Sequence, residues 1–284
     1  MIEGQEGVDW RLWKRLAETV EGLGFDAFWR SDHLYSVMGK FDRATIECWA
    51  SLALIATWTK RIPFGPNVSP MTFREPGVLA KTAAAVDVLS DGRLVMGVGA
   101  GWYEAEHRDF GITFPPLRER MDRMDASFDI MRGVWEARNP RPVRGTIPFL
   151  VGGDGERRTL SAVARHADWW SIGIHRKPHE YRHKVEVLER HCGDVGRDPR
   201  DIRRGFQASF WSAARKRTCC GGQTVCAPSF RASEALRPSR CWLTYARTIS
   251  AAGPRRSRRR CDRTSTWAWT SSGCSTSCSR TRRR

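Results

Sequence analysis

Asp32 and His33 form the adjacent pair best suited to acid–base chemistry in this sequence. They follow residues 25–29, Phe-Asp-Ala-Phe-Trp, whose pattern is typical of a strand. A histidine has an unperturbed pKa of about 6.5, so it can donate a proton or a hydrogen bond near neutral pH, and a neighbouring carboxylate can orient its ring. The alternative interpretation is a helix-capping aspartate beside an exposed histidine.

A glycine-rich turn that reads Gly-Gly-Asp-Gly begins at Gly152, between a strand pattern and a helix pattern. Backbone N–H groups in such a turn, placed at the positive end of a helix, can bind a phosphate group. The sequence therefore predicts a phosphate site at Gly152, Gly153 and Gly155, assisted by the cations Arg157 and Arg158. A tight turn that binds no ligand is the alternative.

Residues 179–183 match the H-E-x-x-H pattern of zinc proteases, in which two histidines on one helix face hold the metal and the glutamate is the base. Helices of that kind are apolar around their ligands because they are buried. Here the neighbouring charges indicate a solvated face, and a further histidine, His191, lies two turns on. We therefore expect no metal site. The neighbouring charges are those of Lys177, Arg182 and Lys184.

One helix and the strand after it show how the chain positions such groups. The alanine-rich residues 79–89 predict a helix that Gly92 ends, and the apolar residues 93–98 predict a strand covered on both faces. A second helix opens near Glu104. The glycines between strand and helix are one residue too closely spaced for the dinucleotide fingerprint, which does not favour a Rossmann fold. They are Gly97, Gly99 and Gly101.

Helix and strand patterns alternate with short connections as far as residue 208, which predicts a parallel α/β domain and favours a (β/α)8 barrel over an open sheet. In such a barrel the carboxyl ends of the strands meet on one rim, where active sites lie. Four strand patterns end in groups suited to binding or catalysis, so we expect these groups to converge. They are Asp32-His33, Pro66-Asn67-Val68, Gly99-Ala100-Gly101 and the turn that begins at Gly152.

The formal charge of +17 is concentrated at one end of the chain. The last 72 residues carry 17 Lys and Arg against two Asp and Glu, whereas the first 212 carry 31 against 29. Seven of the nine cysteines also lie in those last 72 residues, and the two others, Cys48 and Cys192, suit a reducing compartment. We find no signal-peptide pattern and no apolar run of membrane-spanning length. We therefore expect residues 1–212 to form a cytoplasmic domain without a membrane partner.

Residues 213–284 lose the alternation and are rich in Arg, Ser, Thr and Cys. A nucleic-acid-binding arm explains the arginines but not the cysteines, which also lack the paired spacing of a zinc module. Translation in the wrong frame of GC-rich DNA explains all of these residue types. The codons for residues 241–244, Cys-Trp-Leu-Thr, can encode Leu-Leu-Ala-Asp when read one base earlier. We therefore expect a low-order, frameshifted tail, with a non-catalytic nucleic-acid binder as the rival interpretation.

Four segments resemble the bacterial luciferase-like family of flavin- and deazaflavin-dependent oxidoreductases, in the family's order from about residue 8 to residue 173. The blocks AGWYEAEH and VGGDGERRTL are most similar to the branch that uses coenzyme F420. The resemblance implies a TIM barrel, often dimeric, that transfers a hydride between coenzyme F420, or FMN as the alternative, and a small organic substrate. The four segments are LGFDAFWRSDHL, CWASLALIATWTKRIPFG, EPGVLAKTAAAVDVLSDGRLVMGVGAGWYEAEHRDFGI and FLVGGDGERRTLSAVARHADWW.

The resemblance also implies roles for individual residues. It places Asp32 and His33 at the redox centre, and Asn67-Val68 in a bulge behind the cofactor ring that often contains a non-proline cis peptide. Trp102 stands where the sugar-phosphate dehydrogenase branch carries a catalytic acid, which argues against that activity. The cofactor would also be bound by Gly99, Gly101 and the glycines of the later turn, Gly152, Gly153 and Gly155.

The chain departs from the family pattern at both ends. The first barrel strand normally precedes the helix that begins after Asp9, and here only residues 1–7 are left for it. The last barrel units are replaced by the basic tail. We therefore expect an incomplete barrel of at most about seven of the eight strands, which leaves strand edges unpaired. An inactive, truncated member of the family is therefore a further alternative for the function.

Overall fold

The computed structural model describes residues 1–173 and 177–206, and the backbone of two later strands. Helices and strands alternate along the chain, as the sequence predicted. The helices are α1 (Trp10–Gly22), α2 (Cys48–Trp58), α3 (Pro76–Leu89), α4 (Glu104–Asp109), α5 (Leu117–Ala137), α6 (Thr159–His166) and α7 (Pro178–Asp194). The strands are β1 (Phe28–Arg30), β2 (Phe64–Pro66), β3 (Ser69–Pro70), β4 (Met96–Gly99), β5 (Phe149–Gly152), β6 (Trp169–Ile172), β7 (Arg203–Phe206), β8 (Ser212–Thr218) and β9 (Thr224–Phe230).

Strands β1 to β7 form parallel pairs in chain order. β1 pairs with β2, and β3 to β7 form a five-stranded sheet. A bridge between Phe64 and Leu94 joins the two groups, and a bridge between Ile2 and Arg30 adds the first residues beside β1. β2 and β3 are separated by two residues and together occupy one place in the order of strands. With the bridge at Ile2 counted as the first place, seven parallel places follow one another. This order confirms the parallel α/β fold with an incomplete barrel, in which the first strand is reduced to a bridge.

Small residues allow α3 to pack closely on its neighbours. Ala80, Ala83 and Ala84 are at most 1% exposed. Trp135 of α5 donates its indole N–H to the carbonyl oxygen of Ala80 at 2.9 Å, which satisfies the only polar atom of a fully buried ring. The alanine-rich pattern therefore correctly predicted a helix with a close-packed face.

The connection between α3 and β4 differs from the predicted boundaries. α3 ends at Leu89, and the left-handed conformation expected of Gly92, which has a φ of 75°, begins one residue earlier at Asp91, with a φ of 57°. The predicted strand began at Arg93, but β4 begins three residues later. The Arg93 guanidinium instead donates to the carbonyl oxygens of Ala56, Thr59 and Ile62 at 2.8, 3.0 and 3.0 Å, at the end of α2. All four residues of β4 are buried, which agrees with a strand covered on both faces.

The regular alternation ends after β7. Strands β8 and β9 pair as an antiparallel hairpin, whereas the sequence analysis predicted no regular element beyond residue 212. Apart from Cys226, whose backbone lies in β9, the tail cysteines lie outside the described residues, as do the residues after Phe230, so the domain boundary and the frameshift stay predictions. In the part of the chain that the structure describes, no helix is both long enough and apolar enough to cross a membrane.

Candidate active site

The carboxyl ends of β1, β3, β4, β5 and β6 meet on one rim, as the alternation predicted. One polar contact joins the segment after β1 to β3, a second joins the segment between β2 and β3 to β6, and apolar contacts join that same segment to the ends of β4 and β5. The contacts that cross the rim are Asp32 to Ser69, Asn67 to Ser171, and Val68 to both Gly99 and Gly152. Four of the groups suggested by the sequence are therefore neighbours in the structure.

His33 is held by a buried carboxylate of α4. Its Nδ1 lies 2.8 Å from Oε2 of Glu106, and the other carboxylate oxygen accepts the backbone N–H of Leu34. The Glu106 side chain is 1% exposed and that of His33 14%. Burial alone would lower the pKa of His33, but the hydrogen bond and the charge of Glu106 outweigh it and raise this pKa above its usual value. The imidazole therefore keeps its proton to a higher pH than an ordinary histidine does.

Asp32 has partners other than the predicted one. Its Oδ2 accepts from the Ser69 hydroxyl at 2.5 Å and from Arg74 at 2.8 Å, and a second Arg74 nitrogen lies 3.3 Å from Oδ1. Asp32 acts on His33 only through its charge, which helps to raise the histidine pKa. The expectation that Asp32 orients the imidazole is therefore corrected, because Glu106 is the carboxylate at Nδ1.

The Asn67–Val68 peptide bond is cis, as the resemblance implied. A Cβ added at Gly99 would lie 2.5 Å from Cγ2 of Val68, and one added at Gly152 would lie 2.8 Å from Cγ1. Both distances are shorter than carbon atoms can approach, so the Val68 side chain requires glycine at these two positions. Asn67 donates from Nδ2 to the Ser171 hydroxyl at 3.0 Å. The structure thus supplies a packing reason for two glycines that were predicted from their place beside a ligand.

Gly101 lies one step further along the same connection. It has a φ of 80°, and a Cβ there would lie 2.8 Å from the Thr72 hydroxyl oxygen. That hydroxyl lies 2.8 Å from Nε2 of the buried His107, whose Nδ1 lies 2.8 Å from the carbonyl oxygen of Tyr103. Gly101 therefore allows the start of α4 to approach the segment after β3.

The backbone of the predicted phosphate turn is partly used within the protein. Gly153 has a φ of 110°, and its N–H donates to the carbonyl oxygen of Ser171 at 2.9 Å. A Cβ at Gly155 would lie 2.9 Å from the hydroxyl of Thr159, the first residue of α6. The N–H of Gly153 is therefore engaged in the sheet, which leaves the later residues of the turn as the candidate phosphate donors.

The two arginines proposed to assist phosphate binding are in different environments. Arg158 forms ion pairs with Asp122 at 2.7 Å and Asp125 at 2.8 Å, so α5 neutralises its charge. Arg157 is exposed. Of the two, Arg157 is the better candidate for an anionic ligand.

Comparison with known families identifies the architecture that brings these strand ends together. Residues 2–218 match the model of the luciferase-like monooxygenase family. The chain belongs to this family. The resemblance inferred from the four segments is thereby confirmed, and the family's TIM barrel accounts for the chain order of the parallel strands.

Two curated relatives of this luciferase-like chain are 33% identical to it. One is an uncharacterized protein of Mycobacterium tuberculosis, matched over 142 residues, 44% of this chain and 49% of the relative. The other is the F420-dependent glucose-6-phosphate dehydrogenase of Amycolatopsis mediterranei, matched over 126 residues, 43% of this chain and 37% of the enzyme. The chain thus spans about half the length of the curated relatives it matches, or less.

Among solved structures, an F420-dependent secondary alcohol dehydrogenase, in complex with an F420-acetone adduct, superimposes with a TM-score of 0.62. It is 20% identical, and the match covers 68% of this chain and 63% of the dehydrogenase. A likeness at this level of identity shows the shared fold, which is the luciferase-like barrel.

The residues of the H-E-x-x-H segment in this luciferase-like chain make helix-capping and surface ion-pair contacts. Glu180 caps α7, because its Oε2 accepts the backbone N–H of Lys177 at 2.6 Å. His183 lies 3.0 Å from a carboxylate oxygen of Glu156, and Lys184 donates to the same oxygen at 2.7 Å. The glutamate and the second histidine of the pattern therefore have structural partners.

Sequence reasoning missed two residues of the rim. Glu106 lies in the AGWYEAEH block, which served only to indicate the family; an acidic residue at the start of a helix that opens on the rim was the available signal. Arg74 lies just before α3, and its guanidinium binds both Asp32 and Glu47. The distance from its nitrogen to the Glu47 carboxylate oxygen is 2.7 Å. Nothing in its local pattern indicated that its guanidinium would reach the end of β1.

Proposed function

We propose that this luciferase-like chain is an oxidoreductase that transfers a hydride between coenzyme F420, or FMN as the alternative, and a small organic substrate. The observation that carries the proposal is the buried His33–Glu106 pair on the same rim as the Asn67–Val68 bulge. The F420-dependent glucose-6-phosphate dehydrogenase of Amycolatopsis mediterranei supports the deazaflavin as the first cofactor to test. A homodimer stays a prediction.

The residues around the bulge fit a planar cofactor. Val68 is half-buried and fills the space in front of Gly99 and Gly152, so these three strand ends together present one short apolar side chain. Such a surface can accept the face of a flat ring. When bound, the deazaflavin or flavin would supply or accept the hydride. Asn67 and Val68 would hold the ring, and the turn near Gly155 would lie towards its phosphate.

His33 would handle the proton that accompanies the hydride. An ionised carboxylate only accepts hydrogen bonds, so Glu106 keeps a proton on Nδ1 of His33 and leaves Nε2 as the atom that exchanges its proton. In the protonated state, Nε2 can donate to a substrate oxygen that gains negative charge. In the neutral state, it can accept the proton of an alcohol.

The test is a titration of coenzyme F420 and of FMN onto the full chain, followed by the fluorescence of each cofactor. We expect saturable binding of at least one, and binding about tenfold or more weaker in Gly152→Ala, because the new methyl group displaces Val68. Gly133→Ala is the control, since a Cβ there meets no atom within 4 Å. If folded protein binds neither cofactor, or if both variants weaken binding equally, the proposal is wrong.

A further inference from the structure

Five aromatic side chains form a partly exposed surface at the rim, which we call the ring surface: Tyr35, Phe41, Trp102, Tyr103 and Phe110. The Tyr35 ring lies 5.2 Å from Phe41, 6.1 Å from Tyr103 and 6.2 Å from Phe110, and Trp102 lies 5.1 Å from Tyr103, all between centroids. Phe41, Trp102 and Phe110 are 71%, 67% and 55% exposed. Contiguous exposed apolar area of this kind marks a binding surface more often than single exposed residues do.

The ring surface reaches the candidate redox centre directly. The His33 imidazole meets Trp102 edge to face at 5.7 Å and Tyr103 at 6.4 Å. A molecule that covers the exposed rings can therefore also contact His33. This continuity distinguishes the ring surface from the other exposed apolar side chains, such as Phe25, which precedes β1 at the opposite end of the sheet.

Two cations beside the ring surface are already neutralised, whereas Lys40, which precedes Phe41, is exposed. Arg43 pairs with Glu6 at 2.8 Å, and Arg108 pairs with Asp109 at 3.0 Å. The Tyr35 hydroxyl also donates to Asp109, at 3.0 Å. Behind His33, the guanidinium of Arg74 is occupied by Asp32 and Glu47. Because the guanidinium behind His33 is occupied by two carboxylates, a ligand whose polar end lies at His33 is favoured when that end is uncharged, and its apolar part needs only ring faces and edges.

We propose that the ring surface binds the substrate of this site, and that this substrate is an uncharged aromatic ketone or alcohol whose oxygen lies at His33. The proposal rests on the proposed oxidoreductase function for its redox step. Its binding step can be measured without any cofactor. Trp102 and Phe41 supply most of the exposed ring area and so determine affinity, while His33 receives the polar end of the ligand.

The test measures binding of 2-acetylnaphthalene, an uncharged aromatic ketone, to the full chain by equilibrium dialysis without cofactor. We expect saturable binding that is about fivefold or more weaker in Trp102→Ala and in Phe41→Ala, because each loses a large contact face. Phe25→Ala is the matched control and keeps the original Kd. The anion 2-naphthoate, which has the same rings and a carboxylate, should bind about tenfold more weakly than the ketone.

Three results would overturn the proposal. They are absence of saturable binding by folded protein, equal or tighter binding of 2-naphthoate, and an equal loss of affinity in the Phe25 variant. Light scattering adds a fourth, since a dimer that dissociates in Trp102→Ala would assign the ring surface to a second copy of the chain. Failure of the proposed function would be visible separately, as the absence of F420 and FMN binding in the titration above.

Discussion

At the scale of single residues, Glu106 controls the protonation of His33. Its carboxylate is buried and accepts from both the imidazole and the backbone N–H of Leu34, so it is held in place from two sides. A hydrogen bond to a charged partner is worth about 1.5–3 kcal/mol, more than a neutral one. The pair therefore stabilises the fold and selects the protonated imidazole.

We expect Glu106→Gln to lower the pKa of His33, because the amide keeps the size of the side chain but not its charge. The raised pKa of His33 contributes stability that is complete below about pH 6.5 and is lost as the pH rises through the folded-state pKa. The variant should therefore lose about 1–3 kcal/mol of unfolding free energy at pH 6 and less at pH 9. NMR titration of the His33 ring and denaturant unfolding at both pH values measure these effects.

Glu104→Gln is the matched control, since Glu104 is exposed on the same helix. It should leave the His33 titration unchanged. An unchanged titration of His33 in Glu106→Gln would show that the carboxylate does not set its protonation.

At the scale of elements, local signals predicted what local interactions determine. Asp9 caps α1 by accepting the backbone N–H of Leu12 at 2.7 Å, which agrees with the helix that was expected to begin after it. The predicted partner of His33 was wrong. The observed partner, Glu106, is 73 residues away in the sequence, and no local spacing encodes such a contact. The resemblance located the Asn67–Val68 bulge. It did not show that Val68 requires glycine at positions 99 and 152, because that contact depends on how the strands pair.

Arg93 shows how one side chain can hold an element boundary. Its guanidinium satisfies three carbonyl oxygens near the end of α2 and the Thr59 hydroxyl, which is 2.7 Å away. The last carbonyl groups of a helix have no partners within the helix, so a cation there is favourable.

We expect Arg93→Met to destabilise the fold by about 2–4 kcal/mol, because several carbonyl groups lose a charged donor together. Thermal unfolding followed by circular dichroism measures the loss. Arg15→Met, at an exposed position of α1, is the control and should change stability by less than about 0.5 kcal/mol. Equal effects of the two substitutions would refute a capping role for Arg93.

At the scale of the whole molecule, the two function hypotheses use different parts of the chain. The proposed redox site draws only on the first 212 residues, which carry 31 basic and 29 acidic side chains. The nucleic-acid hypothesis needs the basic tail. Because the rim lies in the nearly neutral part, its chemistry depends on single buried charges such as Glu106 and Asp32 and not on net charge.

The stability of the whole domain should depend on pH through His166, the last residue of α6. Its ring stacks on Phe128 with centroids 4.4 Å apart, and Arg132 lies 3.1 Å from its Nδ1. Burial and the charges of Arg132 and Arg165 lower the pKa of His166 to about 4. In the unfolded chain the pKa is about 6.5, so between these values the unfolded state binds more protons. Stability is then complete above pH 6.5 and is lost as the pH falls towards 4.

We expect His166→Gln to reduce the loss of unfolding free energy between pH 6.5 and pH 4, because glutamine does not titrate. Unfolding free energies of the variant and the original chain, measured by denaturant titration from pH 7.5 to 4.5, should converge as the pH falls. His179→Gln, at an exposed histidine of α7, is the control and should run parallel to the original chain. Other groups whose pKa values are shifted by folding, such as Glu6 and Asp87, are common to all three proteins and cancel in the differences. If the variant loses stability as steeply as the original chain between pH 6.5 and 4.5, His166 is not the group that links folding to protonation.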